Sequence, residues 1–492
     1  MIELADLVAA VPAAVSQQGH TLFTRAVINS GGVREGDLFF ALPGETRDGH
    51  DYAHDAVRAG ARGVVVTREI PGMTPGTTVV RVADTVAALQ QVAAATRRRL
   101  APVVIAVTGS AGKTTTKDMI AHVLAARFEV LRSQASFNNH LGVPLTLLEM
   151  SSEHSHVVAE IGTNHPGEID ALARLAAPDV GVITNVGSAH IGYFGSEDAI
   201  AAEKVDLLRH VRTGGLWVLN GDDARLVAAA EQIPSRAQAR LVRVGFGVDN
   251  DIRARDVRVE ETGTTGMIVA GGAEIRFSLP VSGRHFVYDA LLAVAVGTAH
   301  GIGIEAGVRA LRSFVGPRGR VTLVRVSPNL LIIDDSYNSS PDAALAALDV
   351  LGAMPASEKI VVLGEMRELG TASARLHDRV GTEVAAVATA LVTVGDGDGC
   401  RHLRRAAQRA GLAAGRIWAA GSTGEALTRA RTVTGAVDAG ASDTGCAVLI
   451  KGSRFTHMER VQLGFAGRSV ACSLEVCRLY LHCSGCPKLA AS

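Results

Sequence analysis

A chain of 492 residues is too long for one ordinary domain, and at about 150 residues per domain three units are expected, each with its own core. Its 49 Lys plus Arg balance 49 Asp plus Glu, so no global basic field exists to hold nucleic acid or an anionic membrane surface; the partners are expected to be small molecules. No uncharged apolar run approaches the roughly 18 residues that span a bilayer, and the start, MIELADLVAA, has no basic region ahead of an apolar one, so a cytoplasmic protein without membrane insertion is expected.

Residues 1–98 read as a small α/β unit with strands at Asp37–Leu42 and Gly63–Val66 and an Ala-rich helix from Ala83 to about Arg99. Glycines and an Asp-Gly pair in GDLFFALPGETRDGHDYAHDAVRAGA mark its turns. Nothing in it looks catalytic, and His50 and His54 are read as turn and helix-face residues.

Residues 99–314 open on VVIAVTGSAGKTTT, Val103 to Thr116, which reads as a buried strand breaking into a glycine-rich phosphate loop that starts a helix. Gly109 and Gly112 free the backbone around Ser110 and Ala111 to wrap a polyphosphate, and the helix adds its positive N-terminal end. Lys113 reaches the outer phosphates, Thr114 can place a hydroxyl on magnesium, and Thr115 follows. A general phosphate loop wants another glycine where Val107 stands, so the match is to a shorter form. Strands and helices then alternate, through Lys117–Arg127, HVVAEIG, Gly167–Leu175, VGVITNVG and Glu197–Val211, which builds a parallel sheet with functional residues at the carboxyl ends of its strands. Glu160, Asn185 and His190 fall at such ends; Glu160 and His190 suit magnesium, with a helix cap and an ordinary loop histidine as their plainer roles. The strand-rich stretch Ile252–Leu279 reads as an antiparallel insertion, and a helix Val287–His300 follows SGRHF.

Residues 315–465 repeat the alternation. Asp334 and Asp335 end the strand Leu330–Ile333, where paired acids bind ribose hydroxyls or a cation, or cap the helix that begins at Pro341. KIVVLGEMRELG places Glu365 and Glu368 after a strand, and AVLIKGSR places Lys451 and Arg454 after another. A carboxylate opposite two cations suits a zwitterion. The last segment, 466–492, holds Cys472, Cys477, Cys483 and Cys486 among the six cysteines of the chain, too few overall for a disulfide framework. Its Cys483-x-x-Cys486 spacing leaves a zinc site or a loosely ordered tail as its two readings.

TGSAGKTTTK, SFNNHLGVPLTLL, AEIGTNHPGEI, NVGSAHIGYFGS, IDDSYNSSPD, VVLGEMRELG and LIKGSRFTHMER stand in the order and spacing of one family, and the chain resembles the Mur ligases over about residues 20–464. That resemblance implies an α/β protein of three domains: a small N-terminal domain for a UDP precursor, a central phosphate-loop ATPase domain with a parallel sheet, and a Rossmann-like C-terminal domain. The Asn138-Asn139 pair and the run Gly162–Glu168 are similar to the branch that joins D-alanyl-D-alanine to a UDP-muramoyl tripeptide, through an acyl phosphate made with ATP and Mg2+. Carried over, Thr114, Glu160 and His190 would hold magnesium, and Lys204 would be carbamylated to bridge a second ion. Arg320 would approach the phosphates, with Asp335 and Tyr337 around ribose and adenine. Asn138, Asn139, Glu365, Lys451 and Arg454 would face substrate, and a monomer is expected. The chain departs from the family at Asn29-Ser30-Gly31, where an arginine near the uridine nucleotide is usual, and at Phe286, Asp289 and Ser340, where asparagines are usual. A sister ligase, a phosphate-loop switch ATPase and a nonreactive binder are the alternatives. The switch lacks an Asn-Lys-x-Asp base motif, and the binder is at odds with the presence of Lys113, Thr114, Glu160, His190 and Lys204.

Overall fold

Val, Ile, Ala and Thr make Val103–Thr108 a strand covered on both faces, as an interior parallel strand must be. The structure is a computed structural model that describes residues 1–44, 47–438 and 445–468, with 470, 472, 483 and 486. Cys477 of the cysteine cluster lies outside the described residues. Val103–Thr108 sits inside a nine-stranded sheet whose order across is Ala273–Leu279, Gly263–Ala270, Ile252–Glu260, Arg240–Gly245, Leu216–Asn220, Val180–Ile183, Val103–Thr108, His156–Glu160 and Val130–Arg132. From Val130–Arg132 to Ile252–Glu260 every pairing is parallel. The last two pairings are antiparallel, so the expected insertion is a pair of hairpin connections that extends the sheet edge.

A five-stranded sheet precedes it, ordered Ala13–Gln17, Thr78–Val82, Gly63–Val66, Leu38–Phe40 and Ala26–Val27, and a six-stranded sheet follows, ordered Thr322–Ser327, Leu330–Asp335, Cys446–Lys451, Glu358–Gly364, Ala390–Val394 and Ile417–Ala420. The helix after the phosphate loop begins at Lys113, four residues before the expected Lys117. Three successive threonines hide its first turn from a propensity reading, whereas the loop sets it: Gly112 caps it in the left-handed region.

The period of two along each strand divides the cores. Leu38 and Phe40 point into a cluster that also holds Leu89, Val104 and Leu147, whereas Phe39 points into a separate one with Val64 and Ala53. Ile105 and Val107 likewise join a cluster containing Leu292, Ile333, Leu348 and Leu363, while Ile332 and Val362 belong to another inside the third unit. Each outer sheet therefore has one face of its own and one face shared with the central unit, in place of three independent cores. Among the described residues no helix is long and apolar enough to cross a membrane.

The helix His285–Ala299 carries much of the shared core, and its Leu292 has no exposed surface. Leu292→Ala is expected to lower unfolding stability by about 2–5 kcal/mol, from lost transfer energy plus a residual cavity. Urea unfolding of the full chain measures it, and a loss below about 1 kcal/mol would mean the helix is not core.

Candidate active site

Between Thr108 and Lys113 the backbone turns from sheet to helix in four residues, and two of them are glycines with positive φ. Gly109 has φ +150°, and a Cβ there would lie 1.8 Å from the Thr184 hydroxyl; Gly112 has φ +81°, and a Cβ there would lie 2.7 Å from Asp289 Oδ1. The loop is braced from one side by the next strand's end. Ser110 N donates to Asn185 O at 3.0 Å, and Ala111 N donates to Asn185 Oδ1 at 2.9 Å. Gly187 N donates to the Ser110 hydroxyl at 2.8 Å. Asn185 is thus a structural brace, and the amides of Ser110 and Ala111, expected to wrap phosphate, are already engaged. The N–H groups of Gly112, Lys113, Thr114 and Thr115 have no partner among the described residues, and they open the helix.

Charge around this loop is unbalanced. The Lys113 ammonium donates to Gly109 O at 2.8 Å, and burial holds its pKa below the usual lysine range against the pull of Glu160. Lys204, on the helix Glu197–Arg209, is 3 % exposed and has no hydrogen-bond or ion-pair partner among the described residues. Desolvation first, and then repulsion from Lys113, drive its pKa well below the ordinary value. Arg320 crosses from the third unit and donates to the Thr114 hydroxyl at 3.1 Å.

Glu160 is a buried carboxylate whose charge acts on Lys113, while that of Glu203 acts on Lys204. Glu160 Oε1 accepts from Asn138 Nδ2 at 2.8 Å, while Oε2 is buried without a hydrogen-bond partner and lies 3.9 Å from Lys117 Nζ. Lys117 had no sequence signal beyond helical spacing from Lys113; it donates to the carbonyls of Ser133 and Ala135 and holds the loop that carries Asn138. The orphaned Glu160 oxygen fits a magnesium ion, a hard cation that takes oxygen ligands. Below the loop Asp289 accepts from Thr116 Oγ1 at 2.7 Å, and burial raises its carboxyl from 3.8 to about 7.

Other sequence-selected residues have partners that change their reading. Asn139 Oδ1 accepts from Leu141 N and Gly142 N at 3.2 and 2.9 Å, so that oxygen is engaged in the turn that leads into the helix Gly142–Leu148. Lys451 is buried, with its ammonium 2.5 Å from Asp335 Oδ2 and 2.8 Å from Asn338 O. The expected cation for a dipeptide carboxylate and the expected carboxylate for ribose are therefore each other's partners. Glu365 Oε1 accepts from Gly399 N at 2.9 Å, at the start of the helix Asp398–Arg409. Tyr337 donates or accepts at Ser136 Oγ, 2.5 Å away, and its ring lies 4.2 Å from the Arg320 guanidinium carbon and 5.4 Å from that of Arg454. His190 has φ +62°, and its Nδ1 lies 2.5 Å from Glu368 Oε2, a contact that lowers the Glu368 pKa. In the first unit Asn29 Oδ1 accepts from Gly31 N at 3.0 Å, and His50 accepts from Thr67 N at 2.9 Å, both local roles.

A phosphate loop, an orphaned carboxylate, a desolvated lysine and an arginine from a second unit define a nucleotide-dependent group-transfer enzyme. Matches to family models agree: the Mur ligase family catalytic domain at residues 24–97, the Mur ligase middle domain at 107–297, and the Mur ligase glutamate ligase domain at 319–454. The chain belongs to the Mur ligase family, whose members are ATP-dependent ligases that form amide bonds. It is 35 % identical over 349 residues to UDP-N-acetylmuramoyl-tripeptide–D-alanyl-D-alanine ligase of Bacillus subtilis, covering 71 % of this chain and 74 % of that protein. It is 33 % identical over 425 residues to the ligase of the same name from Mycobacterium tuberculosis, covering 80 % and 82 %. Among solved structures it is similar to MurF from Acinetobacter baumannii, with TM-score 0.84, 30 % identity and coverage of 95 % and 99 %. MurF from Thermotoga maritima in complex with ADP gives TM-score 0.77 and 26 % identity, covering 90 % and 97 %.

Because the folded Asp289 binds its proton more tightly than an unfolded aspartate, stability is expected to fall as pH rises between about 4 and 7. Asp289→Asn removes that slope, which thermal melts at a series of pH values measure. A variant with the same slope as the natural chain would show that Asp289 titrates normally.

Proposed function

We propose that this chain is an ATP-dependent ligase that joins D-alanyl-D-alanine to a UDP-N-acetylmuramoyl tripeptide, acting in the cytoplasm as a monomer during cell-wall precursor synthesis. The observation that carries the reading is the clustering of positive charge at the phosphate loop, where burial lowers the proton affinity of Lys113 and Lys204, Arg320 reaches the Thr114 hydroxyl, and one buried oxygen of Glu160 has no hydrogen-bond partner. Such a pocket favours a polyanion with its metal, and the four free amides at the helix start supply donors for it.

A carboxylate resists attack by an amine until one of its oxygens is converted to a leaving group. Magnesium, when bound, would supply neutralisation of phosphate charge. Glu160 and Thr114 would hold it, with His190 nearby. Lys113, fixed over the loop by Gly109 O, would hold the γ-phosphoryl group in line with the tripeptide carboxylate. Arg320, already hydrogen-bonded to Thr114, would add positive charge from the third unit. Phosphoryl transfer asks for positioning and charge neutralisation, and the attacking amine of the dipeptide would then expel phosphate from the acyl phosphate. Arg454 and Glu365 lie on the third unit's strand ends, where they would bracket the dipeptide.

Lys204 is suited to carbamylation because the reaction needs a neutral amine, and burial next to Lys113 lowers its proton affinity. The product would be an anion in a pocket of cations. With 13C-bicarbonate the natural chain is expected to give a carbamate carbon resonance that Lys204→Ala lacks; an identical resonance in the variant would contradict the assignment.

Phosphate release from ATP is expected to need both the UDP-muramoyl tripeptide and D-alanyl-D-alanine. Release that ignores both would contradict the ligase reading. Lys113→Ala should lower the rate by at least about 10²–10³-fold, the scale of losing one charge-stabilising donor, with unchanged circular dichroism. Near-normal turnover would refute its role.

A further inference from the structure

After the strand Cys446–Lys451 the chain passes through a short 3-10 turn, Arg454–Thr456, and reaches His457 at φ +48° before the helix Glu459–Phe465. The left-handed turn at a non-glycine residue places the imidazole near Glu459, and Cys483 lies against both. All three side chains are buried, and one donor atom from each lies within 4.8 Å of the others. His457 Nδ1 is 3.4 Å from Glu459 Oε1 and 3.8 Å from Cys483 Sγ. Cys483 N donates to Glu459 Oε1 at 3.2 Å, and Arg460 Nε donates to Cys483 Sγ at 3.5 Å.

We propose that His457, Glu459 and Cys483 form a site for zinc, or for a divalent ion of similar softness, that fastens the C-terminal segment to the turn carrying Arg454. The separations are long for a charge-assisted hydrogen bond, which runs about 2.7–2.9 Å. They match the edges of a tetrahedron about 3.5 Å long, which follow from metal–nitrogen and metal–oxygen bonds of about 2.0–2.1 Å and a metal–sulfur bond of about 2.3 Å. One imidazole, one carboxylate and one thiolate select zinc or cobalt over magnesium or calcium, which take oxygen donors. Three protein ligands leave a fourth position for solvent. The site is separate from the magnesium residues Thr114 and Glu160, and no step of ligation uses it. The sequence pattern points to zinc among cysteines alone; among the described residues only Cys483 of that cluster joins the set, and its partners His457 and Glu459 lie 26 and 24 residues earlier.

The full-length chain, stripped of metal with a chelator and kept reduced, is titrated with Co2+ and then with Zn2+. One equivalent of Co2+ is expected to give a sulfur-to-cobalt charge-transfer band that one equivalent of Zn2+ removes. Cys483→Ser should abolish the band and weaken zinc binding beyond the ~10–100-fold that loss of a supporting residue causes, while ATP-dependent turnover stays at the natural level. Glu459→Gln should keep the band and weaken zinc binding. A natural chain that gives no band, or a Cys483→Ser or Glu459→Gln chain that binds zinc as tightly as the natural one, would overturn the proposal.

Discussion

The site depends on positive charge that the fold keeps from water. Lys113 and Lys204 are desolvated near each other, and the pull of Glu160 on the first and Glu203 on the second does not outweigh that desolvation. Isolated, such an arrangement costs free energy; with a polyphosphate and its metal it becomes favourable, because an anion in a low-dielectric pocket gains more from each cation than it would in water. Burial is imposed by the sheet. Val103–Thr108 and His156–Glu160 are adjacent parallel strands, so the phosphate loop and Glu160 emerge side by side at one edge.

That edge is completed from the third unit. Arg320 reaches Thr114, Tyr337 reaches Ser136, Asp342 accepts from Ser188 N at 2.8 Å, and Gly192 N donates to Glu368 O at 2.9 Å. The shared apolar cluster behind these contacts means that the central and third units meet through a packed face as well as through polar tips. Group transfer between substrates held on different units requires such an interface, since water must be excluded where the phosphoryl group moves.

Much of this was legible because a parallel sheet puts chemistry at strand ends, and the sequence marks both. An apolar run followed by Gly-Ser-Ala-Gly-Lys, or by Glu160, reads directly as strand and site. What was not legible are pairings between distant segments. Asp335 and Lys451 each looked like a ligand for substrate, and they neutralise each other across 116 residues because Leu330–Asp335 and Cys446–Lys451 are neighbouring strands in register. Asn139 looked equivalent to Asn138, yet the side chain of Asn139 accepts from Leu141 N and Gly142 N while that of Asn138 donates to Glu160. Asp289 appeared only as a departure from the family, whereas its burial under Gly112 makes it part of the loop's floor.

The central claim is that this charge serves to move the outer phosphoryl group of ATP onto a carboxylate. The most direct test uses tripeptide substrate labelled with 18O in its terminal carboxylate, complete with ATP and D-alanyl-D-alanine, and mass analysis of the phosphate released. Transfer of one labelled oxygen from each carboxylate to phosphate is the predicted result. Unlabelled phosphate alongside normal amide formation would contradict it.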